Sequence, residues 1–442
     1  MEHKNFTYSV KSRYNGTVYY ICSHFRSASC PARLIVKSSG SIEEVGEHAC
    51  VRESETVIEA TEEMREVLEA LATTDMSVAP SAVWKAAIRH LHRKHGDNTS
   101  LRYLPRHRAV SFVKNVRKKL TGGDVFRAIE LEPTVFVSPD DERPFLQFHY
   151  VYAHAGVIKR MIGFAHPDLL RLLKYPKNPL FVDCTFKVCP KPFAQLAVVM
   201  SYDPAFDLYL PIFYVLLPDK YQYTYWHLLD NVIMQCDLQV EPRYVMCDFE
   251  LGLVNAVRQQ FAGVPIVGCL FHWKQALRRK LIDLRIPKET VSHVMASGAI
   301  DVLTVIPIDE IAEKGIPFVR SRVDESGHRV KWDTFWRYFK RTWMRTYDPA
   351  LWNVNAISET MDIVNRTNNA LERFNRDLNE SFSSAHPNLL AFMAVIKQKS
   401  KDHVELIEDI RHHRQEAPPH GNLITVEIPA AYRAFCEQQE QE

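Results

Sequence analysis

Residues 180–188 read Leu-Phe-Val-Asp-Cys-Thr-Phe-Lys-Val, a strand-forming run with one carboxylate inside it. Phe181, Val182 and Phe186 are apolar, and aspartate is disfavoured in strand interiors. Asp183 must therefore find a counter-ion or shift its pKa. A divalent metal is the natural counter-ion, and it calls for further acids. Downstream, Leu196–Tyr202 and Tyr209–Leu217 read as strands closed by Asp203-Pro204 and Pro218-Asp219. Tyr223–Ile233 has helical spacing, and Tyr244–Cys247 is a short buried strand ending at Asp248. Gly252–Phe261 is a helix and Pro265–Leu270 another buried strand. Helix resumes from His272 to about Lys280.

Three strands in a meander, then helix, strand, helix, strand, is the order of an RNase H-like fold. Its final helix is expected at Asn369–Phe382, after a long intervening stretch. There Leu371, Phe374, Leu378 and Phe382 make an apolar stripe suited to packing on a sheet. Asn368, Glu372, Asn375 and Asn379 make a polar stripe beside it. Asparagine is a weak helix former, so this stripe is unusual for a plain solvent face. Two strand-borne aspartates, Asp183 and Asp248, with a helical Glu372 can hold a pair of Mg²⁺ ions and support phosphodiester chemistry. Each also has a structural alternative. Asp248 can cap the helix that follows it, and Glu372 can pair with Arg376 at i,i+4.

Upstream, residues 1–50 read as short strands. Phe6, Tyr8 and Val10 alternate, Asn15-Gly16 is a hairpin turn signal, and Val18–Ile21 is the return strand. Cys22, Cys30, His48 and Cys50 follow with the spacing C-x7-C-x17-H-x-C. Four such ligands around two strands fit a tetrahedral Zn²⁺ site. A core of about fifty residues needs such a staple. Two buried cysteines beside a surface His-x-Cys are the alternative. The pattern resembles a FLYWCH zinc finger, a DNA-binding module related to the WRKY and GCM fingers. Tyr20 stands where that family has tryptophan, and Cys50 replaces its last histidine.

Residues 55–121 read as helices over Glu59–Leu71, Val83–His95 and His107–Leu120. Residues 81–120 carry eleven basic residues against Asp97 alone, a local charge of +10 in a chain of net charge +2. A concentration of this kind fits a polyanion partner or a solvated helical surface. In the third helix Val110, Val113 and Leu120 form the apolar stripe, which leaves Lys114, Arg117 and Lys118 for phosphate contacts.

At 442 residues and 46% hydrophobic content the chain has room for two or three domains. No run approaches the eighteen apolar residues that would cross a membrane. The opening MEHKNFTYSVK does not read as a signal peptide. Nine cysteines in that context point to a reducing compartment without disulfides.

Over residues 145–400 the chain resembles the catalytic domain of Mutator-like element (MULE) transposases, a DDE family with an RNase H-like core. DCTFKV at Asp183, MCDFELGLVNAV at Asp248, GCLFHWKQAL, and WNV followed by RTNNALERFNRDLN carry the resemblance. It implies that Asp183, Asp248 and Glu372 are the catalytic acids and hold two Mg²⁺ or Mn²⁺ ions. It also maps a C-x2-H element onto Cys269 and His272, which with Asn369 are the expected supports of the active site. A buried thiol and a hydrogen-bonded core histidine are the alternative for that pair.

The expected organisation is a multidomain α+β or α/β chain. It comprises a finger at 1–52, a basic helical region at 55–125, a catalytic domain at 145–400 with a helical insertion at about 281–365, and a tail at 401–442. Trp332, Trp336, Phe339, Trp343 and Tyr347 in the insertion suit a local core, or else an aromatic that stacks on a flipped base. The expected activity is Mg²⁺-dependent strand cleavage and transfer on double-stranded DNA, at element terminal repeats and target DNA, by a nuclear homo-oligomer. The competing expectations are a catalytically inactive DNA-binding regulator retained by the host and a stand-alone RNase H-like nuclease.

Overall fold

The computed structural model describes residues 1–4, 6–50, 57–96, 100–132, 134–323, 328–358, 369–382, 384–418 and 428–439. It is a mixed α+β chain with a β-rich N-terminal region. The described chain divides into two compact units, residues 1–69 with 84–112, and residues 70–83 with 113–442. No described helix is long and apolar enough to cross a membrane.

In the first unit β1 (Glu2–His3), β2 (Phe6–Tyr14), β3 (Thr17–Cys22), β4 (Arg33–Val36) and β5 (Ile42–Val45) form one antiparallel sheet in that order. Asn15 and Gly16 have φ of 42° and 72° and join Tyr14 to its register partner Thr17. Positive φ at both central residues is the demand of a two-residue hairpin turn, and Asn-Gly meets it at least cost.

Three helices follow, α1 (Thr61–Thr74), α2 (Pro80–His95) and α3 (Arg106–Thr121), and the chain passes between units inside each of them. The structure corrects the face expected for α3. Leu120 is exposed, whereas Ala109 and Val113 are buried together with Arg117, which is 9% exposed. The Arg117 guanidinium donates to the carbonyls of Ala72, Asp75 and Val78 at 3.0, 3.0 and 2.8 Å. Its donors close the loop between α1 and α2 and do not face a polyanion. Burial lowers its pKa, and the nearby Asp75 charge offsets this. Arg117→Ala leaves three carbonyls short of a partner and is expected to cost about 2–4 kcal/mol in urea unfolding. Lysine should rescue little, because one ammonium cannot reproduce the guanidinium fork. A loss under about 0.5 kcal/mol would remove this role. Lys114 and Lys118 are exposed, as expected.

The second unit is built on a seven-stranded sheet. Its strands are β6 (Leu146–His154), β7 (Val157–Ala165), β8 (Leu180–Thr185), β9 (Gln195–Asp203), β10 (Leu208–Leu217), β11 (Val245–Cys247) and β12 (Ile266–Gly268), in the spatial order β6-β7-β10-β9-β8-β11-β12. The meander β8-β9-β10 is antiparallel, and β11 and β12 join parallel to β8. The β6–β7 hairpin, absent from the sequence reading, extends the sheet on the far side of β10. Its own turn signal is Ala155-Gly156, both at positive φ.

Helices cover both faces of the sheet, so its central strands are apolar on both sides. One face packs on α4 (Gln222–Gln235) and α5 (Leu251–Gln260) through Val182, Val199, Phe213, Val245 and Cys247. The other packs through Phe181, Val198, Tyr214, Met246 and Val267. It meets α6 (Leu270–Asp283), α7 (Arg329–Arg341), α8 (Asn369–Glu380) and α9 (Leu389–Arg411).

The described elements between α6 and α8 are all helices, joined by turns. Trp332, Trp336, Phe339 and Trp343 are at most 2% exposed and belong to the core. Burial removes them as stacking partners for a base. The boundary expected at residue 400 falls inside α9. The helix Ala430–Gln439 adds Tyr432, 3% exposed, whose hydroxyl donates to Glu310.

Candidate functional site

Two clusters of ligand-type side chains stand out among the described residues. In the first unit, one donor atom each from Cys22, Cys30, His48 and Cys50 lies within 4.8 Å of every other. Cys22 Sγ is 3.5 Å from Cys50 Sγ, and His48 Nδ1 is 3.4 Å from Cys30 Sγ and 3.3 Å from Cys50 Sγ. Tetrahedral Zn²⁺ with its usual bond lengths gives edges of about 3.4–3.8 Å. Nδ1 faces the cluster because Nε2 is held by the Tyr8 hydroxyl at 2.7 Å, an outer contact that fixes the ring as metal-bound histidines require. Phe6 stacks on the same ring, with centroids 3.5 Å apart.

Three sulfurs packed this closely resist ionising together. Burial raises the Cys50 thiol, and Cys30 and Cys22 push it further, to about 12. Burial also opposes ionisation of Cys30, but backbone N–H groups of Ala32, Cys50 and Ala49 bring its pKa down. A dication relieves the crowding, and this Cys₃His group fits zinc.

The second cluster lies on the α8 face of the large sheet. Val182 pairs with Cys247 across the parallel β8–β11 ladder, so Asp183 and Asp248 are the next residues on neighbouring strands. Strands in a sheet are about 4.8 Å apart, and residues in parallel register point to the same side. Helix α8 crosses that side. Leu371 and Leu378 are fully buried and Phe374 nearly so, as their stripe predicts. The polar stripe then meets the acids. Asn375 Nδ2 donates to Asp183 Oδ2 at 2.8 Å, and Glu372 Oε1 accepts from Cys269 Sγ at 3.5 Å. Cys269, His272 and Glu372 each offer a donor atom within 4.8 Å of the others; Asp183 and Asp248 stand outside that group. Asn368 and the side chain of Asn369 lie outside the described residues.

Asp248 does not cap α5. Its Oδ1 accepts from the Glu250 N–H at 3.0 Å, and Glu250 occupies the cap position. The Asx turn leaves its second oxygen for other work.

All three carboxyls are held above their ordinary range, first by burial. The Asp183 charge raises both Asp248 and Glu372. His272 opposes the shift in all three. Buried acids that repel one another are the arrangement a dication relieves. Carboxylate oxygens are the donor type that a hard cation such as Mg²⁺ or Mn²⁺ takes. Asn375 Oδ1 and Asn379 Oδ1 are buried without a hydrogen-bond partner in the same helix, which adds acceptor capacity.

The sequence reading missed several neighbours. Glu250 is a fourth carboxyl, raised by burial and by Asp248; the Asp-Phe-Glu spacing was its signal. Lys220 lowers both Asp248 and Glu250 and sits 3.8 Å over the Phe186 ring. Cys184 and Cys247 are pushed well up by burial and by Asp248 and Asp183. Tyr347 donates to the Phe249 carbonyl at 2.8 Å, tying the helical stretch to the loop that carries Asp248.

Among curated proteins the chain has no match. A family model described as the MULE transposase domain matches residues 180–276, a span that holds Asp183, Asp248, Cys269 and His272 and stops before Glu372. That match supports a MULE transposase and points to a transposase-related function for this chain.

Proposed function

We propose that the chain is a DNA transposase of the DDE type, with Asp183, Asp248 and Glu372 as its catalytic acids. The supporting observation is the Val182–Cys247 register, which sets two aspartates side by side under the helix that brings Glu372 and Asn375. The strand order β10-β9-β8-β11-β12, an antiparallel meander followed by two parallel strands, supports the reading of an RNase H-like core. In this reading residues between α6 and α8 are an insertion, and residues 1–50 are a FLYWCH-type finger.

Divalent ions held by the three acids, when bound, would supply charge stabilisation for the attacking and leaving oxygens of the scissile phosphate. The chain's own residues do the rest. Asn375 fixes the orientation of Asp183. The Asx turn at Asp248 fixes one of its carboxyl oxygens on the Glu250 N–H. Lys220 eases the repulsion at Asp248 and Glu250. Joining two element ends calls for two such sites, so the acting species is an oligomer on DNA, in the nucleus.

The test is a nicking assay on DNA carrying element ends, with Mg²⁺, comparing wild type with Asp183→Ala. Cleavage by the wild type alone is expected. Equal cleavage by both removes Asp183 from the chemistry, and no cleavage by either favours an inactive DNA-binding regulator. DNA binding itself should be salt-dependent. Lys114→Ala and Lys118→Ala should each reduce the slope of log K against log salt by about 0.9, the contribution of one phosphate contact. Slopes equal to wild type would take those two lysines out of the interface.

A further inference from the structure

The geometry points to a second transition-metal site, made by Cys269, His272 and Glu372, that takes Zn²⁺ rather than Mg²⁺. The three donors come from two elements far apart in sequence. Cys269 is the residue preceding the first turn of α6 and His272 lies within that turn, so an i,i+3 spacing sets both on one side of the helix start. Helix α8 brings Glu372 against them, and one donor atom of each lies within 4.8 Å of the other two.

The chemistry of the set selects the ion. A thiolate, an imidazole and a carboxylate are zinc ligands, and three protein ligands with a fourth position left to solvent is the pattern of open zinc sites. Magnesium takes oxygen ligands and holds its waters, so it has no use for Cys269 or His272. A simple hydrogen-bond account leaves more unexplained. Cys269 is fully buried, and a thiol is a weak donor to Glu372 at 3.5 Å. His272 Nδ1 is buried with no hydrogen-bond partner. An ion bound through that nitrogen would satisfy it. Under the proposed function Glu372 would then serve both this site and the paired aspartates. The inference does not depend on strand cutting, because the ion binds whether or not the chain acts on DNA.

Co²⁺ reports this site directly. The full-length chain, with zinc retained in its Cys₃His group, is titrated with Co²⁺ and followed by absorption. One equivalent is expected to bind with a thiolate-to-cobalt charge-transfer band of single-sulfur intensity. Cys269→Ser should abolish that band. Glu372→Gln should weaken binding at least tenfold, since even outer-shell losses cost about 10–100-fold. Weak bands without a sulfur component, typical of an all-oxygen site, would overturn the proposal, as would a Cys269→Ser protein that keeps the band. Should Cys269→Ser misfold by circular dichroism, His272→Ala decides: loss of the bound equivalent supports the site, and unchanged binding overturns it. Failure of the nicking assay leaves this result untouched, so the two readings fail separately.

Discussion

Asp183→Asn is expected to lose Mg²⁺-dependent nicking and, in the presence of a chelator, to gain thermal stability. The loss should be on the order of 10³-fold or more, the equivalent of the several kcal/mol that ions at such a site contribute. The gain follows from burial. Asp183 is 5% exposed on β8, an interior strand of the large sheet, with its carboxyl held above its ordinary range by desolvation. The isosteric amide keeps the shape and can still accept from Asn375, without an uncompensated charge. Relief of that penalty should be worth about 1–3 kcal/mol. Added Mn²⁺ should reverse the order, because an ion that binds only the folded wild type stabilises it by mass action. Thermal melts with and without metal check this. A variant that nicks at the wild-type rate, or that melts below wild type in chelator, sinks the assignment.

Stripping zinc should have the second large effect, confined to the N-terminal sheet. The core there consists of Tyr8, Cys22, Cys30, Ala32 and Leu34, backed by Phe6, Tyr20 and Cys50. Two of the five fully enclosed residues are themselves ligands, so little apolar burial remains to hold five strands together. Structural zinc in finger peptides supplies about 10–16 kcal/mol, far more than such a core. Chelation, or Cys30→Ala, is therefore expected to expose residues 1–50 to protease while residues 113–442 stay intact. A sheet that resists cleavage after its zinc content has been shown to fall to zero would contradict the metal's structural role.

The elements around the acids were legible because their patterns are strong. The meander, the two short buried strands and the helix over Asn369–Glu380 lie within a few residues of their expected bounds. Leu371, Phe374 and Leu378 face the sheet as their spacing requires. Other features could not be read from local pattern. Arg117 reads as one more surface cation in a basic helix, and only the fold reveals the three carbonyls that surround it. The α3 stripe was misassigned because Leu120 looks apolar, while the buried position belongs to a charged residue. Glu372 was expected to sit with the aspartates, yet its nearest partner by hydrogen bond is Cys269. That proximity joins residues 103 positions apart and has no periodic signature. The β6–β7 hairpin carries a turn signal, but its pairing with β10 is a long-range event that strand alternation does not specify.

The Asp183–Asn375 hydrogen bond spans 192 residues, and this bears on when the molecule is armed. A polypeptide leaving the ribosome completes β8 and β11 early and can align its two aspartates. The helix that orients Asp183 is made only after the whole stretch between β12 and α8 has been synthesised, and long-range closures of this kind are slow. A prematurely terminated or stalled product therefore lacks Glu372 and Asn375 together. Orientation of Asp183 by Asn375 is therefore deferred until residues 369–380 have been made.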